Sequence, residues 1–183
     1  MLFIFLKLVS TNEIIFFFFL TLKFSLINSL EILKSWSELE RRGDTFFVKK
    51  TNEPFTGILK NFYPNGQISL IDNFKNGKQH GEYVSYHPNG KILLKGNFEN
   101  GRQHGVWTEY HMDGSLYWNL KYINGVTEDG VFRMYYPDGT VESEVTYGNG
   151  KPITNWVYFD KNGEKERVKI YENGTFIYEK YLE

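Results

Sequence analysis

An all-β fold is predicted for this 183-residue chain: an elongated antiparallel meander of stacked β-hairpin repeats of about 24 residues, preceded by a short helix. Three observations carry that expectation. Asn-Gly pairs recur at Asn76-Gly77, Asn100-Gly101, Asn124-Gly125, Asn149-Gly150 and Asn173-Gly174, in steps of 24, 24, 25 and 24 residues. A second glycine series, Gly66, Gly90, Gly114, Gly139 and Gly163, keeps the same steps, each glycine following Asn or Asp. Composition agrees: aromatics reach 18%, Gly numbers 17, and Ala is absent, whereas Ala is the best helix former and aromatics favour strands.

The elements follow in order. Residues 1–28 contain the apolar run IIFFFFLTL (14–22), extended past Lys23 by FSLI. Its length suits the core of a signal peptide better than a full membrane span. The segment is expected to be a signal peptide or an uncleaved anchor, which implies export, unless the start codon is misplaced and the protein is cytoplasmic. Next, SLEILKSWSELERRG (29–43) predicts a short helix and linker over 29–44. Ser29 is placed to cap it, Leu33, Trp36 and Leu39 share a helical face, and Gly43 can end it.

Residues 45–183 form the repeat domain, five units of two strands with the last a degenerate cap. Asn-Gly and Asp-Gly tolerate the positive φ that tight hairpin turns require. Between the turns lie stretches the length of one strand. In each second strand an aromatic stands two residues before Asn-Gly: Phe74, Phe98, Tyr122, Tyr147 and Tyr171. Ile68 with Leu70, and Ile92 with Leu94, share its parity and are expected on one face. In the first strands Leu59, Tyr83, Trp107, Phe132 and Trp156 recur, followed three residues later by Phe62, Tyr86, Tyr110, Tyr135 and Phe159. That offset puts the two sets on opposite faces unless a bulge intervenes, and the sequence leaves both arrangements open. One residue is added where VTED (126–129) replaces a three-residue connection such as KQH (78–80), and Thr154 replaces the leading glycine of the fifth unit.

The pattern G-x-[bulky]-x-x-[aromatic]-x-x-[N/D]-G, closed by an aromatic-x-N-G, resembles the MORN-repeat variant family of bacterial proteins, YwqK-type and often labelled antitoxin. It is carried by GEYVSYHPNGKILLKGNFENG (81–101) and GVWTEYHMDGSLYWNLKYING (105–125), with FFVKKTNEPFTG (46–57) resembling the entry to the first repeat. The resemblance implies stacked hairpins used for binding or scaffolding.

The candidate chemistry is periodic too. His80 repeats at His104 and His87 at His111. Equivalent residues two strands apart are separated by roughly 9.5 Å, too far for two zinc ligands at about 2 Å from one metal. The histidines are therefore read as structural: His80 and His104 incidental members of a turn, His87 and His111 rim positions shared with Tyr63 and Tyr136. No P-loop, nucleophile elbow or dinucleotide fingerprint is present. With no Cys, thiolate chemistry and Cys-ligated zinc are excluded. A net charge of −1 lacks the basic footprint of a nucleic-acid binder.

The expectation is a non-enzymatic protein, without cofactor or metal, serving as a protein-interaction scaffold or binding module, of which an antitoxin is one case. The alternative is a surface module that binds cell wall, glycan or lipid through exposed aromatics, with any membrane link running through the N-terminal apolar segment. Tyr86, Trp107, Tyr110 and Trp118 in the central units are the candidate partner contacts. The five Asn-Gly pairs are the structural turns.

Overall fold

A computed structural model describes residues 31–33 and 35–182. The expected signal peptide or anchor at 1–28 lies outside the described residues. Among those described, no helix is long and apolar enough to cross a membrane.

The strands are β1 (Glu31–Leu33), β2 (Leu39–Arg42), β3 (Thr45–Val48), β4 (Gly57–Phe62), β5 (Ile68–Lys75), β6 (Lys78–Tyr86), β7 (Ile92–Glu99), β8 (Arg102–Tyr110), β9 (Leu116–Ile123), β10 (Val126–Thr127), β11 (Gly130–Tyr135), β12 (Val141–Gly148), β13 (Lys151–Pro152), β14 (Trp156–Phe159), β15 (Lys165–Glu172) and β16 (Thr175–Tyr181). Fourteen of them make one sheet in the order β1-β4-β5-β6-β7-β8-β9-β11-β12-β14-β15-β16, with β10 beside β9 and β13 beside β12. From β4 to β16 every neighbouring pair is antiparallel. This is the meander that the two turn series predict.

The expected helix is corrected. Within 29–43 the described residues form β1, a single 3₁₀ turn at Trp36–Glu38, and β2. Ser35 caps that turn by accepting the Ser37 N–H at 3.0 Å. Gly43, at φ +63°, belongs to the β2–β3 hairpin turn instead of ending a helix. The apolar spacing is spent on tertiary contacts: Leu33 and Leu39 are buried with Val48, Phe55, Leu59 and Phe74, and the Trp36 ring lies 5.5 Å from Phe46 and 6.0 Å from Phe74. The β2–β3 hairpin thus packs over the first unit of the large sheet.

The two turn series are physically different. At all five Asn-Gly pairs of the first series both residues have positive φ, 51–52° for Asn and 72–82° for Gly, as a type I′ turn requires. In the second series only the glycines are left-handed. Tyr63, His87, His111 and Tyr136 each accept the N–H of the glycine three residues on, at 2.9 Å, and give their own N–H to the carbonyl of the residue beyond it. That is a type I turn closed by a left-handed glycine. The Asn or Asp side chain braces it: Asn65, Asn89, Asp113 and Asp138 each accept a backbone N–H two residues on.

Successive type I′ turns are tied to the strand before them. Gly77, Gly101 and Gly125 donate their N–H to the carbonyls of Phe55, Gln79 and Gln103 at 2.7–2.8 Å. The Asn N–H of the same turns also finds side chains one unit back: Asn76 to Thr56 Oγ1 at 2.8 Å, Asn100 to His80 Nδ1 at 3.4 Å, and Asn149 to Asp129 Oδ1 at 2.7 Å. His80 is therefore not incidental, because it accepts the N–H of the next turn.

The bulge question has a definite outcome. Within each repeat hairpin, between its first and second strand, the register shifts once, at Asn61/Phe62, Ser85/Tyr86, Glu109/Tyr110, Met134/Tyr135 and Tyr158/Phe159. The residues skipped are Ser69, Leu93, Tyr117, Glu142 and Glu166, all in second strands. Shifts between hairpins, at Asp72/Phe74 and Lys95/Asn97, leave extra residues in β6 and β8 near Gly81 and Gly105. Alternation from the bulky residue of each first strand to the aromatic three residues on is uninterrupted, so both aromatic sets survive on opposite faces. In the second strands it is interrupted, which corrects the expected parity: Leu70 is buried while Ile68 and Ile92 are exposed.

Candidate functional site

Residues directly opposite one another across an antiparallel pair share a face. Leu59, Asp72, Tyr83, Gly96, Trp107, Leu120, Phe132 and Val145 are linked by such pairings within their hairpins, and ring contacts join one hairpin to the next. Tyr83, Phe98 and Trp107 meet at centroid distances of 4.8–5.8 Å. Phe132 gathers Trp118 at 6.0 Å, Tyr147 at 6.2 Å and Trp156 at 5.8 Å, and Trp156 stacks on Tyr158. This is one aromatic face. At its first end Phe74 lies under Trp36, Phe46 and Phe55 of the chain's own N-terminal segment. Farther along, Tyr83, Phe98, Trp118, Tyr122, Tyr147, Trp156 and Tyr158 are half-buried.

The four predicted partner residues do not come together. Trp107 is 2% exposed, its ring lies flat on Gly96, where a methyl group would overlap it, and its Nε1–H is given to the Asn97 carbonyl at 3.1 Å. It offers no ring face to a partner, which corrects its assignment. Trp118 shares that face, half-buried, and donates Nε1–H to Glu109 Oε2 at 2.8 Å. Tyr110 is on the other side: the Lys95 Nζ is 5.5 Å from its ring, and Lys95 points away from Gly96 and Trp107. Tyr86 takes the same place one unit earlier. The residues that join Trp118 are Tyr147, Trp156 and Tyr158, with the Arg167 guanidinium 3.8 Å from the Tyr158 ring centre. Their signal was in the sequence as columns of the repeat; what was missing was which columns stay uncovered.

His87 and His111 are tied into the other rim. Their Nε2 atoms lie 2.9 and 2.7 Å from the Tyr110 and Tyr135 carbonyls. A carbonyl only accepts, so Nε2 carries the proton. The hydroxyls of Tyr63 and Tyr136 donate in the same way to the carbonyls of Tyr86 and Phe159. His104 has its Nδ1 3.5 Å from Glu99 Oε2.

Among the described residues, one carboxyl is fully buried within this face. It belongs to Asp72, and the loss of hydration pushes its pKa up to about 7, against the pull of the hydrogen bond from Gln79. Gln79 Nε2 donates to Oδ2 at 2.7 Å, while Oδ1 is buried without a partner. Burial, followed by the charge of Asp72, also raises the phenol of Tyr83.

No curated protein matches the chain. The β8–β9 hairpin has the same turns, register shift and rim hydrogen bond as the hairpins beside it. Three stretches of the chain, residues 55–76, 79–100 and 128–149, match the family model of the MORN repeat variant.

Proposed function

We propose that the chain is a non-enzymatic binding module that holds a protein segment along its aromatic face. One observation carries this reading: the face is covered at its first end by the chain's own polypeptide and continues, half-exposed, through Trp118, Tyr147, Trp156 and Tyr158. Trp36 and Phe46 already fit a peptide to the Phe74 end of it. Half-buried aromatics with nearby polar partners are the side chains that dominate protein interfaces. Glu109 beside Trp118 and Arg167 over Tyr158 supply charge at the row's edges. An antitoxin-like role is the case in which the bound segment belongs to a toxin.

The test is capture from a lysate of the source cells with the full chain as bait, against a Trp118→Ala/Tyr158→Ala variant. A protein retained by the parent chain and lost by a variant of unchanged far-UV circular dichroism supports the proposal. Retention by both, or by neither, sinks it. Flotation with vesicles and pelleting with cell wall run alongside, and binding there in place of protein capture favours a surface module for lipid or glycan.

A further inference from the structure

The chain contains eight Asn-Gly steps: 65–66, 76–77, 89–90, 100–101, 124–125, 149–150, 162–163 and 173–174. Asn-Gly is the dipeptide most prone to spontaneous deamidation, because glycine leaves its own amide nitrogen unshielded. That nitrogen attacks the Asn Cγ, a C–N bond closes a five-membered succinimide, and ammonia leaves. Water then opens the ring at either carbonyl, giving aspartate or the β-linked isoaspartate. No oxidant or cofactor is needed, so local structure alone decides which of eight identical dipeptides reacts.

The hydrogen bonds divide them. In the type I loops, Gly66, Gly90 and Gly163 donate the attacking N–H to the carbonyls of Tyr63, His87 and Asp160 at 2.9–3.0 Å. In the type I′ turns, Gly77, Gly101 and Gly125 donate theirs to Phe55, Gln79 and Gln103. Gly150 and Gly174 have no such bond among the described residues. The sequence supplies the cause. Each tether comes from the connection one unit back, and the two failures follow the two irregular connections. VTED (126–129) carries the extra residue, and its Glu128 N–H turns to Lys121. KPIT (151–154) has Thr154 in place of the glycine, and its Ile153 N–H turns to Thr146. Asn149 keeps one restraint, its own N–H on Asp129 at 2.7 Å. Asn173, which is exposed, has neither restraint.

We propose that Asn173-Gly174 is a self-modification site, with Asn149-Gly150 second and the other six steps protected by the fold. Freeing a tethered glycine N–H means breaking its hydrogen bond and opening the turn around it, which slows reaction there by about tenfold or more. An isoaspartate at 173 adds one carbon to a two-residue turn whose geometry depends on both φ values being positive. The hairpin can then no longer close in register, and β16, last in the sheet and exposed along its whole length, is released.

The experiment holds the full chain at 37 °C and pH 8 for several weeks. Peptide mass spectrometry resolves aspartate and isoaspartate at each step, with a parallel sample unfolded in urea. The expected result is conversion at Asn173 first, then Asn149, with the other six at least about tenfold slower, and that selectivity lost in urea. Proteolytic nicking within 175–182 should grow with isoaspartate at 173 and be absent in an Asn173→Gln variant. Equal rates at all eight native steps, or an intact Asn173 while the unfolded chain reacts, would overturn the proposal.

Discussion

Asp72 stands in a column whose counterparts in the next three units are Gly96, Leu120 and Val145. A carboxyl there trades water for one hydrogen bond from Gln79, and the phenol of Tyr83 is the titratable group across from it. Its pKa rises from 3.8 to about 7 on folding. The sign follows from proton binding: between those values the folded state keeps a proton that the unfolded chain gives up. Stability is therefore greatest below about pH 4, as far as this group is concerned, and falls as the pH climbs to about 7. Thermal unfolding from pH 4.5 to 8 should show that decline in the parent chain and lack it in Asp72→Asn, which keeps the Gln79 contact without a charge. Superimposable curves would mean Asp72 ionises normally. Nothing in the sequence marks Asp72 as special except its column, and burial is what gives the column its meaning. The histidines teach the converse. Their period was legible and excluded a metal pair, but their hydrogen bonds run between units and needed the register to be seen.

At the scale of the element, the turns separate conformation from space. Gly77 and Gly90 are both left-handed, at φ +76° and +82°. An added methyl group at Gly90 meets nothing within 4 Å, so Gly90→Ala should cost only about 1–2 kcal/mol for the backbone. At Gly77 it would overlap Thr45 and come within 2.8 Å of the Phe46 carbonyl, displacing the β2–β3 hairpin. Gly77→Ala should lose about 1–3 kcal/mol more, read as a larger drop in the urea midpoint at equal slope; equal drops would count against that docking. The N-terminal segment marks where local reading stops. Leu33, Trp36 and Leu39 span under two helical turns, too short for periodicity to outweigh packing. The segment follows the apolar surface of Phe46 and Phe74 instead.

For the whole molecule, the sheet order shows units that touch mainly their neighbours in sequence, so stability should accumulate unit by unit. Duplicating residues 81–104 in tandem joins His104 to Gly81, the same His-Gly junction found at Gly81 and Gly105. The expected product is folded, with unchanged far-UV circular dichroism per residue and a steeper urea dependence in proportion to the surface it buries. A chain that aggregates or loses cooperativity would show that contacts beyond the next unit matter. The same neighbour-to-neighbour logic explains why the irregular connections at 126–129 and 151–154 act one unit downstream, on the turns at Asn149 and Asn173.

The sequence by itself determined the fold class, the five repeat hairpins and the place of the two turns in each, because those rest on local backbone chemistry repeated at a constant period. It also determined that two aromatic sets exist. Only the tertiary structure decided which set is covered and which ring is available. Burial depends on the register between strands, on the residue each second strand skips, and on where the N-terminal hairpin packs. That is why Trp107 belongs to the core while Trp118, one strand over on the same face, stays half-buried.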